Sequence, residues 1–164
     1  MNMKTRVKLQ PLNVAPVQAV MDNRLQLLHI IEHLLREIGP ADIRISTFST
    51  SEEFLRGMYR LKKLKLVKYA VLMADLKAAK KTVQLKEFMA NVFDEVYLTE
   101  NHSKVVLLEN AHAQVCVVTS QNQTRGNRTE AACVMVDEAV FDTLKSSFDI
   151  ICSSRSIRIH DFDG

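Results

Sequence analysis

The chain is poor in aromatic residues, glycine and long apolar runs, and each shortage argues against a class of function. Aromatic residues make up 6% of the 164 residues, which gives little support for stacking single-stranded bases on side chains. None of the four glycines precedes a Lys-Ser or Lys-Thr pair, so a P-loop for nucleotides is excluded. No apolar run reaches the roughly 20 residues of a membrane-spanning helix, and segment 1–16 lacks the apolar core of a signal peptide. We therefore expect a cytoplasmic protein with no membrane partner.

Cysteine is also scarce. Cys116, Cys133 and Cys152 are odd in number and widely spaced, and none belongs to the C-x2-C pattern of a zinc site. Two of them lie in apolar runs, so we expect buried free thiols, which suit a reducing compartment.

The rest of the composition is that of an ordinary soluble domain. The chain is 47% hydrophobic and 25% charged, and its length suits one domain that buries roughly 70% of its unfolded surface. The formal net charge of +3 is too small to indicate a nucleic-acid partner by itself. Segment 1–21 contains Pro11 and Pro16 and has no clear period, so we expect an N-terminal arm or lead-in there and a single domain over 22–164.

The spacing of apolar residues predicts helices and strands in alternation. Stripes at helical spacing predict helices, whereas alternating or continuous apolar runs predict strands. The predicted helices cover 23–38, 50–64, 83–92 and 137–148. The predicted strands cover 43–48, 67–74, 95–98, 105–108, 115–118 and 131–136, and 156–160 could add an edge strand. This order predicts an α/β fold in which a mixed β-sheet is sandwiched by helices.

Segment 101–110, with the sequence NHSKVVLLEN, carries the most information about function. Its apolar, β-branched run is typical of a buried strand, whose side chains alternate between two faces. His102 and Lys104 are two residues apart, so we expect both side chains to point into one space. A neutral imidazole can act as a nucleophile or proton carrier, and an ammonium beside it can hold an anionic oxygen. The pair predicts a phosphate site, although alone it could equally be solubilising charge on an edge strand.

A polar run, TSQNQTRGNRTE, follows the next predicted strand. It places Ser120 and Asn122 at the strand's end, where their donors can reach a ligand, and ends at Glu130. Together with His102 and Lys104, these residues resemble the phospholipase D superfamily, whose signature is H-x-K-x4-D followed by G-S-x-N. The resemblance is greatest to the short, single-motif nuclease branch, which dimerises to complete one site.

The order of strands and helices extends the similarity loosely over 43–150. Three features, however, depart from the family's pattern. Glu109 stands where the family usually has Asp, and Thr119 where it usually has Gly. Nine residues separate these two positions against the usual six, which predicts a longer surface hairpin at little cost. Glu109 is an odd seven residues after His102, so it should face the opposite side and serve structure. Thr119 could narrow the pocket, because it has a side chain where glycine has none.

The resemblance implies attack on phosphorus by a homodimer, with no metal or other cofactor. His102 of one subunit would attack and form a phosphohistidine, while His102 of the second subunit protonates the leaving oxygen. Lys104 and Asn122 would hold the non-bridging oxygens with help from Ser120. Glu130 would accept a hydrogen bond from the imidazole and fix its tautomer. Only one H-x-K motif of this kind occurs, so the chemistry requires two subunits.

Two other polar patterns have both a functional and a structural interpretation. The pentapeptide HIIEH at 29–33 matches the zinc-protease pattern H-x-x-E-H, but both histidines fall on the polar stripe of a predicted helix, which favours a solvated face. Basic residues also cluster near the predicted central strand and in the polar run: Lys62, Lys63, Lys65, Arg125 and Arg128. They form either a solvated surface or a groove that binds nucleic acid by counterion release.

The sequence therefore predicts a metal-independent phosphodiesterase, similar to phospholipase D-like endonucleases, that acts on nucleic acid. The alternative is a catalytically weak or inactive phospholipase D-like module that binds DNA or protein. Phospholipid hydrolysis is a third possibility, which no amphipathic membrane-binding helix supports.

Overall fold

The computed structural model describes residues 7–78, 84–122 and 128–159, with only the backbone of Lys86 and Glu87. The helices are α1 (Leu27–Ile38), α2 (Glu52–Lys63), α3 (Lys86–Ala90) and α4 (Glu138–Ser154), with a short 3-10 turn at Leu76–Ala78. The strands are β1 (Val17–Asp22), β2 (Ala41–Ser46), β3 (Val67–Asp75), β4 (Glu95–Thr99), β5 (Val105–Glu109), β6 (Gln114–Thr119), β7 (Glu130–Met135) and β8 (Ile157–Arg158). The predicted α/β class is confirmed.

Within the described residues, the eight strands belong to one mixed sheet with the order β1-β7-β6-β5-β2-β3-β4-β8. Strands β2, β3 and β4 are parallel neighbours, and the remaining pairs are antiparallel. Parallel strands end at the same edge of a sheet, so Ser46 and Asp75 lie together beside segment 101–104, which leads into β5. We name this the carboxyl edge of the sheet.

Helices α1 and α2 cover one face of the sheet, because each has an apolar stripe at helical spacing. The buried stripe of α1 consists of Leu27, Ile30, Ile31, Leu34 and Leu35. Helix α1 ends at Gly39, whose φ of 89° lies in the left-handed region that glycine adopts without strain. Helix α2 begins after Ser51, whose hydroxyl accepts a hydrogen bond from the Phe54 N–H at 3.2 Å. The caps define where the helices end and begin, and the buried apolar side chains of both helices pack in the main core.

Helix α4 covers only part of the opposite face. Asp137 caps the helix by accepting a hydrogen bond from the Val140 N–H at 2.9 Å. Further along, Phe141 packs with Leu107 and Cys116, and Phe148 packs with Val71 and Met73. The helix therefore lies over the middle of the sheet and leaves its β1 end bare.

Among the described residues, the part of this face that α4 does not cover is apolar. Met21 pairs with Ala131 in the β1–β7 register, and Cys133 pairs with both Ala19 and Val118, so these side chains share one side of the sheet. Met21 is 75% exposed and Val118 is 40% exposed. We name this surface the apolar face; it consists of Val17, Ala19, Met21, Val118, Ala131 and Cys133.

Two local expectations differ from the structure. Segment 1–21, predicted as an arm or lead-in, contains most of β1, which pairs with β7 along Val17–Asp22. His102 and Lys104 were expected on a buried strand, but β5 begins at Val105, and His102 is exposed. That placement was wrong, because the ladder of β5 stops before it reaches the histidine.

The other predicted elements shift only at their ends. Helix α3 lies within the predicted 83–92, and β8 lies within 156–160, of which His160 is outside the described residues. Among the helices of the described ranges, none combines the length and apolar character needed to cross a membrane.

Candidate active site

His102 and Lys104 lie side by side immediately before β5. The Lys104 Nζ atom is 3.5 Å from His102 Nδ1 and donates a hydrogen bond to the His102 carbonyl oxygen at 3.0 Å. The Phe48 ring packs on the imidazole with 5.5 Å between ring centroids. The two side chains approach each other although neither residue lies on a strand. His102 is exposed and Lys104 half-buried, so an anionic group can approach both.

Buried polar residues that the sequence analysis did not single out hold this segment. Asn101 is 8% exposed, Asp75 is 6% exposed and Ser46 is 2% exposed. The Asn101 N–H donates to Asp75 at 2.7 Å, and its side-chain amide donates to Ser46 Oγ at 3.0 Å. The available signal was that Ser46 and Asp75 are polar residues that end apolar strands, where buried polar groups need partners.

Ser120 and Glu130 form a second polar pair near the same edge. The Ser120 hydroxyl donates a hydrogen bond to the Glu130 carboxylate. The N–H of Thr119, just before Ser120, donates to the Lys104 carbonyl at 3.1 Å, which brings the two motifs together. Within the described part of one chain, no hydrogen bond joins Glu130 to His102. The orienting contact expected for Glu130 is therefore replaced here by its bond to Ser120.

Asn122 is linked to His102 indirectly, by way of Phe48. Asn122 Oδ1 accepts a hydrogen bond from the Phe48 N–H at 3.3 Å and lies 3.5 Å from Thr47 Oγ1. The oxygen of the amide thus faces the loop after β2, so its NH2 end is the part that can donate to an anion. Because Phe48 also packs on His102, this contact places Asn122 on the histidine side of the edge.

Glu109, the first departure from the family pattern, has the structural role expected of it. Its carboxylate accepts a hydrogen bond from Lys145 Nζ at 2.7 Å and from Gln114 Nε2 at 3.2 Å. Burial alone would raise the pKa of Glu109, but these hydrogen bonds outweigh burial and lower the pKa. Glu109 therefore fastens α4 to the sheet.

Thr119, the second departure, uses its hydroxyl within the chain. The hydroxyl donates to the Ala131 carbonyl at 2.8 Å and accepts from the Gln121 N–H at 3.1 Å. The side chain is 9% exposed. Thr119 thus ties the end of β6 to β7, and its hydroxyl is directed at the backbone.

The predicted basic residues do not all lie at the carboxyl edge. Lys62, Lys63 and Lys65 are located where α2 ends and β3 begins. The nine residues of β3 span about 26 Å, so these lysines lie at the end of the sheet opposite His102. Lys62 also contacts an Asp94 carboxylate oxygen at 3.5 Å. Within the described residues, these lysines therefore do not form one continuous basic groove with His102.

Of the two arginines of the polar run, Arg128 lies in the described part of the chain. Arg128 is exposed and lies two residues before Glu130, so its charge is near the Ser120–Glu130 pair. Arg125 lies outside the described residues.

The H-x-x-E-H pattern contributes to packing. Glu32 is buried and accepts hydrogen bonds from Arg60 at 2.5 Å and from Arg36 at 3.0 Å. The bond from Arg60, against the opposing effect of burial and aided by Arg36, lowers the pKa of Glu32 to about 2. Across 7–78, 84–122 and 128–159, no group of three His, Cys, Asp or Glu residues is placed to hold a metal ion.

The chain resembles known proteins in its structure and not in its sequence. No family model and no curated protein matches the chain by sequence. The structure matches Nuc, a phospholipase D family member from Salmonella typhimurium, with a TM-score of 0.69 and 15% identity over 88% of this chain and 98% of that chain. The chain has the phospholipase D fold. The fold predicted from the H-x-K motif is thereby confirmed.

Two longer proteins share this fold. Phosphatidylserine synthase from Haemophilus influenzae Rd KW20 matches with a TM-score of 0.64 and 11% identity, over 89% of this chain and 40% of that chain. Polyphosphate kinase from Porphyromonas gingivalis matches with a TM-score of 0.62 and 14% identity, over 87% of this chain and 24% of that chain. The chain spans less than half of either protein but nearly all of Nuc.

Proposed function

We propose that this chain is a metal-independent phosphodiesterase in which His102 attacks phosphorus. The observation that supports the proposal most directly is the 3.5 Å separation of His102 Nδ1 and Lys104 Nζ at the carboxyl edge of a phospholipase D fold. An ammonium group beside an imidazole holds an anionic phosphate next to the nucleophile. The two longer proteins of this fold, a synthase and a kinase of phosphorus compounds by name, are consistent with chemistry at phosphorus.

The reaction proceeds in two displacements. A His102 nitrogen forms a bond to phosphorus while the bond to the leaving oxygen breaks, and His102 of a second copy gives that oxygen its proton. Water then attacks the phosphohistidine, the second histidine takes the water's proton, and the first histidine is released. Lys104, the amide NH2 of Asn122 and the hydroxyl of Ser120 hold the non-bridging oxygens as negative charge builds.

The apolar face supports assembly of the required second copy. Val17 is 63% exposed and Met21 is 75% exposed, an unusual environment for large apolar side chains on a sheet. None of the six residues that define the face is charged, so the same residues of another copy meet them without charge repulsion in a twofold contact. Its row Met21–Ala131 adjoins Glu130 in the register. Glu130 is bonded to Ser120 at the border of this face, so it must release that bond before it can orient an imidazole of either copy.

Nucleic acid is the proposed substrate. Arg128 places a positive charge at the carboxyl edge, and the H-x-K motif resembles that of the short nuclease-like branch. Lys63 and Lys65 are exposed about 26 Å away along β3, a distance that a duplex of roughly eight base pairs covers at 3.4 Å per step. These lysines therefore bind the phosphates of long substrates, which reach both ends of the sheet.

Turnover of bis(p-nitrophenyl) phosphate in EDTA tests the chemistry. His102→Ala should lower the rate by about a thousandfold or more, because it removes the nucleophile. His112→Ala is the matched control, since His112 is exposed at the β5–β6 turn and should keep the wild-type rate. Equal background rates for wild type and His102→Ala would contradict the proposal and leave the inactive binding module as the function.

Sedimentation of the His102→Ala protein tests the dimer separately from activity. Met21→Asp should shift the chain to monomer, because it places a charge in the apolar face at the twofold contact. Leu64→Asp is the control, since Leu64 is 51% exposed at the far end of α2. A wild-type chain that is fully active while monomeric would contradict the two-copy mechanism.

Binding of labelled duplexes at several salt concentrations tests the substrate. The double variant Lys63→Glu, Lys65→Glu should weaken binding of a 20-base-pair duplex, because neither side chain can then neutralise a phosphate. The slope of log K against log salt should fall by about 1 for each of the two lysines that binds a phosphate in the wild type. A hairpin with a stem of four base pairs, about 14 Å long at 3.4 Å per step, should be much less affected, because it cannot span the distance between His102 and the lysines. Binding that ignores salt would contradict a nucleic-acid substrate.

A further inference from the structure

Asn101, the residue before His102, uses every polar group of its side chain. Its Nδ2 donates to Ser46 Oγ and to the Thr47 carbonyl, both at 3.0 Å. Its Oδ1 accepts from the Ser103 hydroxyl at 2.7 Å and from the Ser103 N–H at 3.2 Å. One side chain therefore binds the end of β2 on one side and the residue after His102 on the other.

The backbone of Asn101 is fixed as well. Its N–H donates to Asp75 Oδ2 at 2.7 Å, and Asp75 Oδ1 accepts from the Lys77 N–H at 2.7 Å. Asn101 is 8% exposed and Asp75 is 6% exposed. Such a network resists movement, because a broken bond would leave a buried polar group of Asn101, Asp75 or Ser46 without a partner. His102 projects to solvent between two residues, Asn101 and Ser103, that are both held by this network.

We propose that Asn101 is the positioning residue of the site, and that it sets the direction of the His102 imidazole. This inference rests on the proposed function, in which His102 is the nucleophile. Asn101 itself is too buried to touch a phosphodiester, so it acts through the backbone on both sides of the histidine. Attack on phosphorus needs close alignment, and a misplacement of about 1 Å can reduce a rate about a hundredfold.

The chain contains a matched control at the other end of β5. Asn110 Nδ2 donates to the Ile38 carbonyl at 2.9 Å and the Pro40 carbonyl at 3.2 Å. Asn110 Oδ1 accepts from the His112 N–H at 2.8 Å and the Ala113 N–H at 2.9 Å. Like Asn101, Asn110 thus donates two hydrogen bonds and accepts two, but it lies at the end of the sheet remote from His102.

The experiment compares Asn101→Ala with Asn110→Ala. Both should lose stability in urea unfolding, since each removes a similar set of hydrogen bonds. On bis(p-nitrophenyl) phosphate, Asn101→Ala should lower kcat about a hundredfold with KM little changed, whereas Asn110→Ala should keep the wild-type kcat. If Asn101→Ala does not fold, Ser46→Ala removes one partner of the same amide and should lower kcat in the same direction.

Nuclear magnetic resonance of labelled histidine separates this inference from the proposed function. The His102 imidazole signals, assigned by their loss in His102→Ala, should shift or broaden in Asn101→Ala and stay in place in Asn110→Ala. This result supports positioning even if the wild type shows no turnover, an outcome that overturns only the proposed function. A folded Asn101→Ala with unmoved His102 signals, or equal loss of kcat in the two asparagine variants, overturns the inference.

Discussion

Glu32 joins α1 to α2 through a buried carboxylate, and replacing it should reveal a pH-dependent part of the stability. Arg60 and Arg36 donate hydrogen bonds to it at 2.5 Å and 3.0 Å. The Glu32 side chain is 9% exposed, whereas Arg60 is 50% and Arg36 is 56% exposed. In Glu32→Gln the two arginines can turn to solvent, so the variant should fold but lose the attraction between the charges.

The lowered pKa gives the size and the sign of the effect. The pKa of Glu32 falls from 4.5 to about 2, chiefly through the bond from Arg60, and this difference corresponds to about 3 kcal/mol. Because the folded pKa is below the unfolded one, the stabilisation is complete well above pH 4.5 and is lost as the pH falls towards 2. Between pH 7 and pH 3.5 the loss from this group amounts to about 1 kcal/mol.

Urea unfolding at pH 7, 4.5 and 3.5 measures the effect. Glu32→Gln should be less stable than wild type by up to about 3 kcal/mol at pH 7, and the gap should narrow by about 1 kcal/mol at pH 3.5. Glu52→Gln is the control: Glu52 pairs with Arg56 in solvent, with side chains 55% and 71% exposed, and its loss should cost at most about 1 kcal/mol. A gap between wild type and Glu32→Gln that stays constant with pH would refute the reasoning.

Two further predictions concern packing. Gly57→Ala should destabilise the protein by about 1–3 kcal/mol in urea unfolding, although alanine favours helices, because an added Cβ would lie 2.1 Å from Leu28 Cδ2. In a Leu28→Ala background the same change should instead stabilise the protein; a loss in both backgrounds would exclude overpacking. Burial raises the pKa of Cys116 to about 11 and that of Cys152 to about 12. A maleimide should therefore add at most one label, at Cys133, to the native chain and three after unfolding, and mass spectrometry that finds two or three on the native chain would contradict this assignment.

Elements with a strong local period were predictable, and those without one were not. The stripes of α1 and α2 and the apolar run of β3 each lie within one element, so spacing alone indicates them. Strand β1 was missed because its alternation is short, follows Pro16 and exposes its larger apolar residues. His102 was placed on a strand because the sequence does not mark where the β5 ladder ends.

The sequence by itself determined which functional groups are available to the site: an imidazole and an ammonium two residues apart, followed by a hydroxyl, an amide and a carboxylate. Only the tertiary structure decided which groups meet. It separated Lys62, Lys63 and Lys65 from the histidine by the length of β3, and joined Glu130 to Ser120. It also tied Asn101 to residues 26 and 55 positions away. Local spacing carries no record of such contacts, because strand order in the sheet results from burying all the apolar faces together.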